Sequence, residues 1–190
     1  MNNNEIKEKT ITCPWWFCFT FDNFTRPWYQ DPYKVLSGLI IPGYKVLDVG
    51  PGRGYFTLPL ASMVGEEGIV YALDIQKKML EILKSKTEKK GHSNVIAHLY
   101  DGNKFCLNES FDFVNIFWMF HEIRNKENFL NELKAVCKPG CKILFVEPYV
   151  HVAKKAFNKS LQLFTNNGFK VLEIIKINFS RACLLEVIKD

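Results

Sequence analysis

An apolar strand pattern that ends in three closely spaced glycines constrains the fold of this chain more than any other feature. Residues 46–57 read VLDVGPGRGYFT, with glycines at positions 50, 52 and 54. Glycine lets the backbone of such a turn approach a ligand, because it has no Cβ and tolerates positive φ. Dinucleotide-binding turns have the spacing G-x-G-x-x-G. The shorter spacing here predicts a site for a different adenine-containing cofactor.

Acidic residues accompany the ends of the first three predicted strands. Asp48 precedes the glycines, Asp74 ends the second strand, and Asp101 follows the third. A carboxylate at position 48 would repel a pyrophosphate and attract a cation, which favours S-adenosylmethionine with its sulfonium and ammonium groups over NAD. Asp74 could accept hydrogen bonds from ribose hydroxyls with either cofactor. Each aspartate alone could be an ordinary loop acid or helix cap, but three at successive strand ends favour a ligand site.

Apolar runs rich in β-formers alternate with amphipathic helical patterns along the chain. The predicted strands are residues 44–49, 69–74, 95–100, 111–117, 142–147, 169–177 and 181–188, and the predicted helices are residues 54–64, 77–90, 126–137 and 152–164. Strands that are apolar throughout and separated by helices indicate a parallel sheet covered on both faces. The sequence therefore predicts an α/β three-layer sandwich. It is Rossmann-like, with a seven-stranded, mostly parallel sheet and a C-terminal antiparallel hairpin.

Composition narrows the class of protein. No apolar run reaches the ~18 residues of a membrane span, and the polar N-terminus lacks the apolar region of a signal peptide. Six cysteines without a regular framework therefore predict a cytoplasmic protein with reduced thiols. The spacings Cys13/Cys18 and Cys137/Cys141 match no common zinc site, so we expect no metal. The lysines of residues 77–90 form one face of an amphipathic helix, so a nucleic-acid partner is not expected.

Five successive motifs resemble those of class I S-adenosylmethionine-dependent methyltransferases: VLDVGPGRG, YALDI, LYDGNKF, FDFVNIFWMFHEI and LKAVCKPGCKILFVEP. The resemblance spans about residues 35–188 and implies a methyltransferase domain over residues 35–190. It implies that the cofactor's amino acid end faces Asp48, Gly50, Gly52 and Gly54. It also implies that Asp74 binds the ribose, Ile75 packs against adenine, and Asp101 with Gly102 lies at the adenine amino group. Asn115, in the fourth strand, is also expected to bind the cofactor.

The loop after the fourth strand is expected to meet the methyl acceptor. It lacks the prolines typical of base-nitrogen methylation and the Cys-Pro pair typical of pyrimidine-carbon methylation, which favours a small-molecule acceptor. His121 could be a base, with Glu122 beside it, or a histidine that anchors the loop. His151 is a second candidate residue of the site, as a side chain that binds the acceptor. RNA, protein and arsenite acceptors remain alternatives.

An aromatic-rich segment, residues 1–34, precedes this domain. One interpretation is a cap or lid in which Trp15, Trp16, Phe24 and Trp28 contact the acceptor. The alternative is a structural cover or a dimer contact, so a monomer and a homodimer both remain open. At the level of the whole protein, the alternatives are an NAD-dependent oxidoreductase and a non-catalytic cofactor-binding partner subunit.

Overall fold

A computed structural model describes residues 26–189 of the chain. The helices are α1 (Arg26–Tyr29), α2 (Pro32–Leu36), α3 (Thr57–Val64), α4 (Lys77–Lys89), α5 (Lys126–Val136) and α6 (Lys154–Asn166). The strands are β1 (Lys45–Val49), β2 (Ile69–Asp74), β3 (Val95–Leu99), β4 (Phe111–Phe117), β5 (Cys137–Pro148), β6 (Phe169–Ile177) and β7 (Ser180–Val187). A 3₁₀ turn, Phe120–Glu122, follows β4.

The seven strands form one sheet in the order β3-β2-β1-β4-β5-β7-β6. Neighbours from β3 to β5 pair in parallel, whereas β7 lies antiparallel to both β5 and β6. This sheet confirms the predicted Rossmann-like fold and its C-terminal hairpin. The strand order changes direction between β1 and β4, and ligands of open α/β sheets bind at such a switch point, beyond the carboxyl ends of the strands.

Apolar side chains of the strands alternate between the two faces of the sheet. Val46 of β1 packs in the cluster with helices α2 and α3, while its neighbour Leu47 packs in the cluster with α5 and α6. This alternation follows from the period of two along a strand. The second cluster is rich in buried phenylalanines, including Phe129, Phe145 and Phe164. Both faces are therefore covered, as the apolar strand patterns indicated.

Two element bounds differ from the sequence-based expectation by more than two residues. Helix α3 begins at Thr57 rather than at residue 54, because Gly50, Gly52 and Gly54 all have positive φ and cannot continue a helix. Strand β5 begins at Cys137 rather than at residue 142, because Cys137 pairs with Phe111 before the register shifts. Within the part of the chain that the structure describes, every helix is too short or too polar to cross a bilayer.

Candidate active site

The glycine loop after β1 lies directly against the loop after β4. A Cβ placed on Gly50, whose φ is +68°, would lie 2.9 Å from both Cβ and Cγ of Met119. Gly52, at φ +54°, has no heavy atom within 4 Å of such a Cβ. The loop therefore packs tightly on one side and is open on the other. An open backbone with positive φ gives a ligand close access to main-chain atoms.

Asp48 lies beneath this loop and is almost completely buried. Its two carboxylate oxygens accept hydrogen bonds from Thr57 Oγ1 at 2.6 Å and from Asn115 Nδ2 at 2.8 Å. Burial raises the pKa of Asp48 to about 6, although these two hydrogen bonds act in the opposite direction. Asp48 can therefore act on a ligand through its charge as well as by holding Asn115 and the start of α3.

Asn115 is buried beside Asp48 in the register of β1 and β4. Its Oδ1 atom is buried without a hydrogen-bond partner among the described residues. An unsatisfied buried acceptor is costly, by roughly 1–3 kcal/mol. A ligand that brings an N–H or O–H donor to this atom would remove that cost.

Asp74 ends β2 and accepts a hydrogen bond from the backbone N–H of Gln76 at 2.8 Å. Burial, with smaller contributions from the charges of Glu122 and Asp48, raises the pKa of Asp74 to about 6, although backbone hydrogen bonds act in the opposite direction. Three carboxylates from separate segments therefore lie close enough to interact at one edge of the sheet. Their combined negative charge favours a cationic ligand. Ile75, next to Asp74, is 41% exposed and offers an apolar contact.

Asp101 is exposed in the turn that follows β3. Its carboxylate accepts the backbone N–H groups of Asn103 and Lys104 at 2.7 and 2.9 Å, and these bonds hold the pKa of Asp101 below its ordinary value. Gly102 has φ +91° and open space where a Cβ would be. The carboxylate thus organises the turn locally, on the same side of the sheet as Asp74.

The first residue of the loop after β4 has a strained backbone. Trp118 has φ +60°, which is uncommon for a residue other than glycine, and its indole N–H donates to Ser180 Oγ at 2.9 Å. This bond ties the loop to the β6–β7 hairpin. Met119 then contacts Gly50, and the 3₁₀ turn carries His121 and Glu122. Strain of this kind often accompanies functional sites.

Sequence reasoning did not single out Glu147, at the carboxyl end of β5. Its side chain is buried, and one oxygen lies 2.5 Å from Nδ1 of His121. The rings of His121 and His151 lie 5.8 Å apart, centroid to centroid. The structure therefore brings both predicted histidines together. The available signal for Glu147 was a carboxylate at the end of the apolar run ILFV.

Comparison with known proteins identifies the family. A family profile described as "Methyltransferase domain" matches residues 40–182. The chain belongs to this methyltransferase family. The match covers the sheet from before β1 into β7, so it includes every element that carries the site.

Two curated relatives support the same family. Demethylmenaquinone methyltransferase from Bacillus mycoides is 33% identical over 129 residues, which are 64% of this chain and 51% of that protein. The protein of the same name from Anoxybacillus flavithermus is 32% identical over 123 residues, 63% of this chain and 50% of that protein. This methyltransferase chain thus spans about half the length of these relatives.

One solved structure covers nearly the whole methyltransferase chain. A SAM-dependent methyltransferase from Aquifex aeolicus superposes with a TM-score of 0.86 at 27% identity, covering 93% of this chain and all of that one. These similarities confirm the class I S-adenosylmethionine-dependent methyltransferase family, and S-adenosylmethionine as its cofactor. They give no support to the NAD-dependent alternative.

The residues of the methyltransferase site fit that cofactor. The open backbone at Gly52 leaves room beside the loop, and the Asn115 oxygen, which has no partner among residues 26–189, can accept from an ammonium group. The negative charge of Asp48 and Asp74 suits a ligand with a sulfonium. The exposed Ile75 can pack against a flat apolar ring.

The first described residues of the methyltransferase lie over the loops of its site. The Arg26 guanidinium stacks 4.0 Å from the Tyr55 ring centroid and 4.7 Å from that of Trp118. Gln30 is buried and donates to Ser180 Oγ at 3.1 Å, while the Tyr55 hydroxyl donates to the Gln30 carbonyl. Helix α1 and Gln30 directly after it are therefore joined to the glycine loop, the β4 loop and the hairpin.

Not all predicted acceptor contacts can be located. Trp15, Trp16 and Phe24 lie outside the described residues, as do Cys13 and Cys18. Trp28 is 84% exposed on α1. Among residues 26–189, no group of three or more His, Cys, Asp or Glu side chains is arranged to hold a metal ion.

Proposed function

We propose that this chain transfers a methyl group from S-adenosylmethionine to a small organic acceptor. The observation that carries the proposal is the position of His121. The histidine follows Met119, which lies against Gly50, and it is held by a buried carboxylate on the neighbouring strand. The proposed cofactor loop and a candidate base therefore adjoin the same edge of the sheet.

When bound, S-adenosylmethionine supplies a methyl group already activated by a positively charged sulfur. The protein then has to align the acceptor, exclude water and, for some acceptors, remove a proton. In this proposal Asp48, Asp74 and Ile75 hold the donor, and His121 with Glu122 beside it faces the acceptor. Two relatives named demethylmenaquinone methyltransferase support a small-molecule acceptor over RNA or protein.

The proposal includes a cap formed by residues 1–34. The contacts of Arg26 and Gln30 with Tyr55, Trp118 and Ser180 support it, because they attach the start of the described chain to three loops of the site. We expect removal of residues 1–25 to abolish methyl transfer while leaving cofactor affinity nearly unchanged. An insoluble truncated protein would support a structural cover instead.

Two measurements test the proposed function. Titration calorimetry should detect binding of S-adenosylmethionine and S-adenosylhomocysteine and no binding of NAD. Transfer of a labelled methyl group should then be screened over small molecules, including demethylmenaquinone, and over bulk RNA and protein. His121→Ala should lower kcat strongly without changing S-adenosylhomocysteine affinity. A folded protein that binds neither nucleoside, or that methylates only RNA or protein, would contradict the proposal.

A further inference from the structure

A single buried carboxylate contacts His121 at two points. Glu147 Oε1 accepts the backbone N–H of His121 at 3.0 Å, and Glu147 Oε2 lies 2.5 Å from Nδ1 of the same residue. Glu147 itself is fixed in the sheet, where its backbone lies opposite Arg181 in the register of β5 and β7. One side chain therefore determines both where the backbone of residue 121 lies and how its ring is turned.

The second contact determines which ring nitrogen carries the hydrogen. A neutral imidazole has one N–H and one lone pair, and an ionised carboxylate can only accept. With Glu147 ionised and the ring neutral, the hydrogen is on Nδ1, toward Glu147, and the lone pair is on Nε2. The His121 side chain remains 25% exposed, so the ring is within reach of a small molecule. A buried carboxylate behind an imidazole is a known way to keep a histidine in the form that accepts a proton.

The charges around the ring come from several elements. Glu147 faces it from β5, Glu122 and Lys126 lie on its own loop and on α5, and His151 approaches from the segment between β5 and α6. Burial lowers the pKa of His121, but the hydrogen bond and charge of Glu147, with the charge of Glu122, outweigh it. The net pKa lies above the ordinary value, so the surroundings favour uptake of a proton.

We propose that Glu147 is a positioning residue for methyl transfer, which holds His121 so that Nε2 takes a proton from an acceptor of the hydroxyl or acidic C–H class. This inference rests on the proposed function. The acceptor proton passes to Nε2, and the acceptor's electron pair forms the bond to the methyl carbon. The carbon–sulfur bond breaks with its electrons left on sulfur, and the imidazolium then returns its proton to water.

Nitrogen NMR on the full chain tests the arrangement without an acceptor. Histidine-labelled protein would be titrated as the wild type, as Glu147→Gln, and as Glu127→Gln, an exposed carboxylate on α5 that serves as the matched control. The His121 signals are those that disappear in His121→Gln. In the wild type we expect the proton on Nδ1 in the neutral ring. In Glu147→Gln we expect a titration midpoint at lower pH and loss of that tautomer, because the amide can donate to Nδ1. The control should match the wild type.

Calorimetry with S-adenosylhomocysteine separates this inference from the proposed function. The inference is supported if Glu147→Gln binds S-adenosylhomocysteine normally but shows the lower titration midpoint and the changed tautomer of His121. An unchanged midpoint and tautomer in that variant would overturn it. If Glu147→Gln does not fold, the wild-type spectrum still decides, because a proton found on Nε2 overturns the inference. Transfer to a tertiary amine or thioether in the acceptor screen would overturn the acceptor class. Absence of binding to either nucleoside would contradict the proposed function and leave the histidine measurement standing.

Discussion

Burial of Asp48 makes the free energy of unfolding depend on pH. Its pKa is about 6 in the folded chain against an ordinary value of 3.8. Between these values the folded state binds more protons than the unfolded state, so the free energy of unfolding falls as pH rises. The difference corresponds to roughly 3 kcal/mol, of which about 2 kcal/mol is lost between pH 4.5 and 7.5.

Asp48→Asn isolates this contribution, because the amide is neutral at both pH values. Its oxygen can still accept from Asn115 Nδ2, and its N–H can donate to the Thr57 hydroxyl, so a hydrogen bond to each partner is kept while the one with Thr57 reverses direction. Relative to the wild type, the variant should therefore gain about 2 kcal/mol in unfolding free energy on going from pH 4.5 to 7.5. Urea denaturation followed by circular dichroism at the two pH values measures this gain.

Asp101→Asn is the matched control, because the pKa of Asp101 is lowered rather than raised. Its carboxylate contributes stability that is present above the ordinary pKa and lost only below it, so the difference between this variant and the wild type should stay nearly constant from pH 4.5 to 7.5. If Asp48→Asn and the wild type differ by the same amount at pH 4.5 and 7.5, the buried-charge reasoning is refuted.

Three further predictions concern the ligand and the loops. Affinity for S-adenosylmethionine should rise as pH increases through about 6, because Asp48 and Asp74 ionise there. The rise should be smaller in Asp48→Asn, and calorimetry at pH 5 and 8 measures it. Gly50→Ala should lower the free energy of unfolding by about 1–3 kcal/mol more than Gly52→Ala does, since both positions have positive φ but only the Cβ at Gly50 would meet Met119. Urea denaturation measures both losses, and equal losses would contradict the packing argument. Ser180→Ala should reduce S-adenosylhomocysteine affinity less than it reduces kcat, since it frees the β4 loop but not the glycine loop; an unchanged kcat would contradict this.

The sheet and the cofactor loop could be predicted because both are encoded locally. Buried strands appear as continuous apolar runs, and a helix pattern between each pair indicates parallel crossovers. The carboxylate at Asp48 and the glycines after it occupy one short stretch. Even the antiparallel hairpin follows from two apolar runs with a short connection.

The remaining features depend on contacts between distant parts of the chain. Glu147 reaches a ring 26 positions away, and only the register of β4 against β5 brings them together. Similarly, Pro139 and Gly140 predicted the end of α5 correctly, but the strand began earlier because Cys137 pairs with Phe111. The positive φ of Trp118 has no local sequence signal, since its indole partner lies at Ser180.

The buried carboxylates link the stability of this fold to the ligand it binds. Asp48 and Asp74 are both raised in pKa mainly by burial, so in the ligand-free protein at neutral pH each ionised group is destabilising. A cationic ligand offsets that cost, and whatever free energy it restores appears as affinity. The donor carries a sulfonium, whereas its demethylated product carries a neutral sulfur. In the proposed function, the negative charge of these carboxylates would favour the donor over the product, and more so as they ionise.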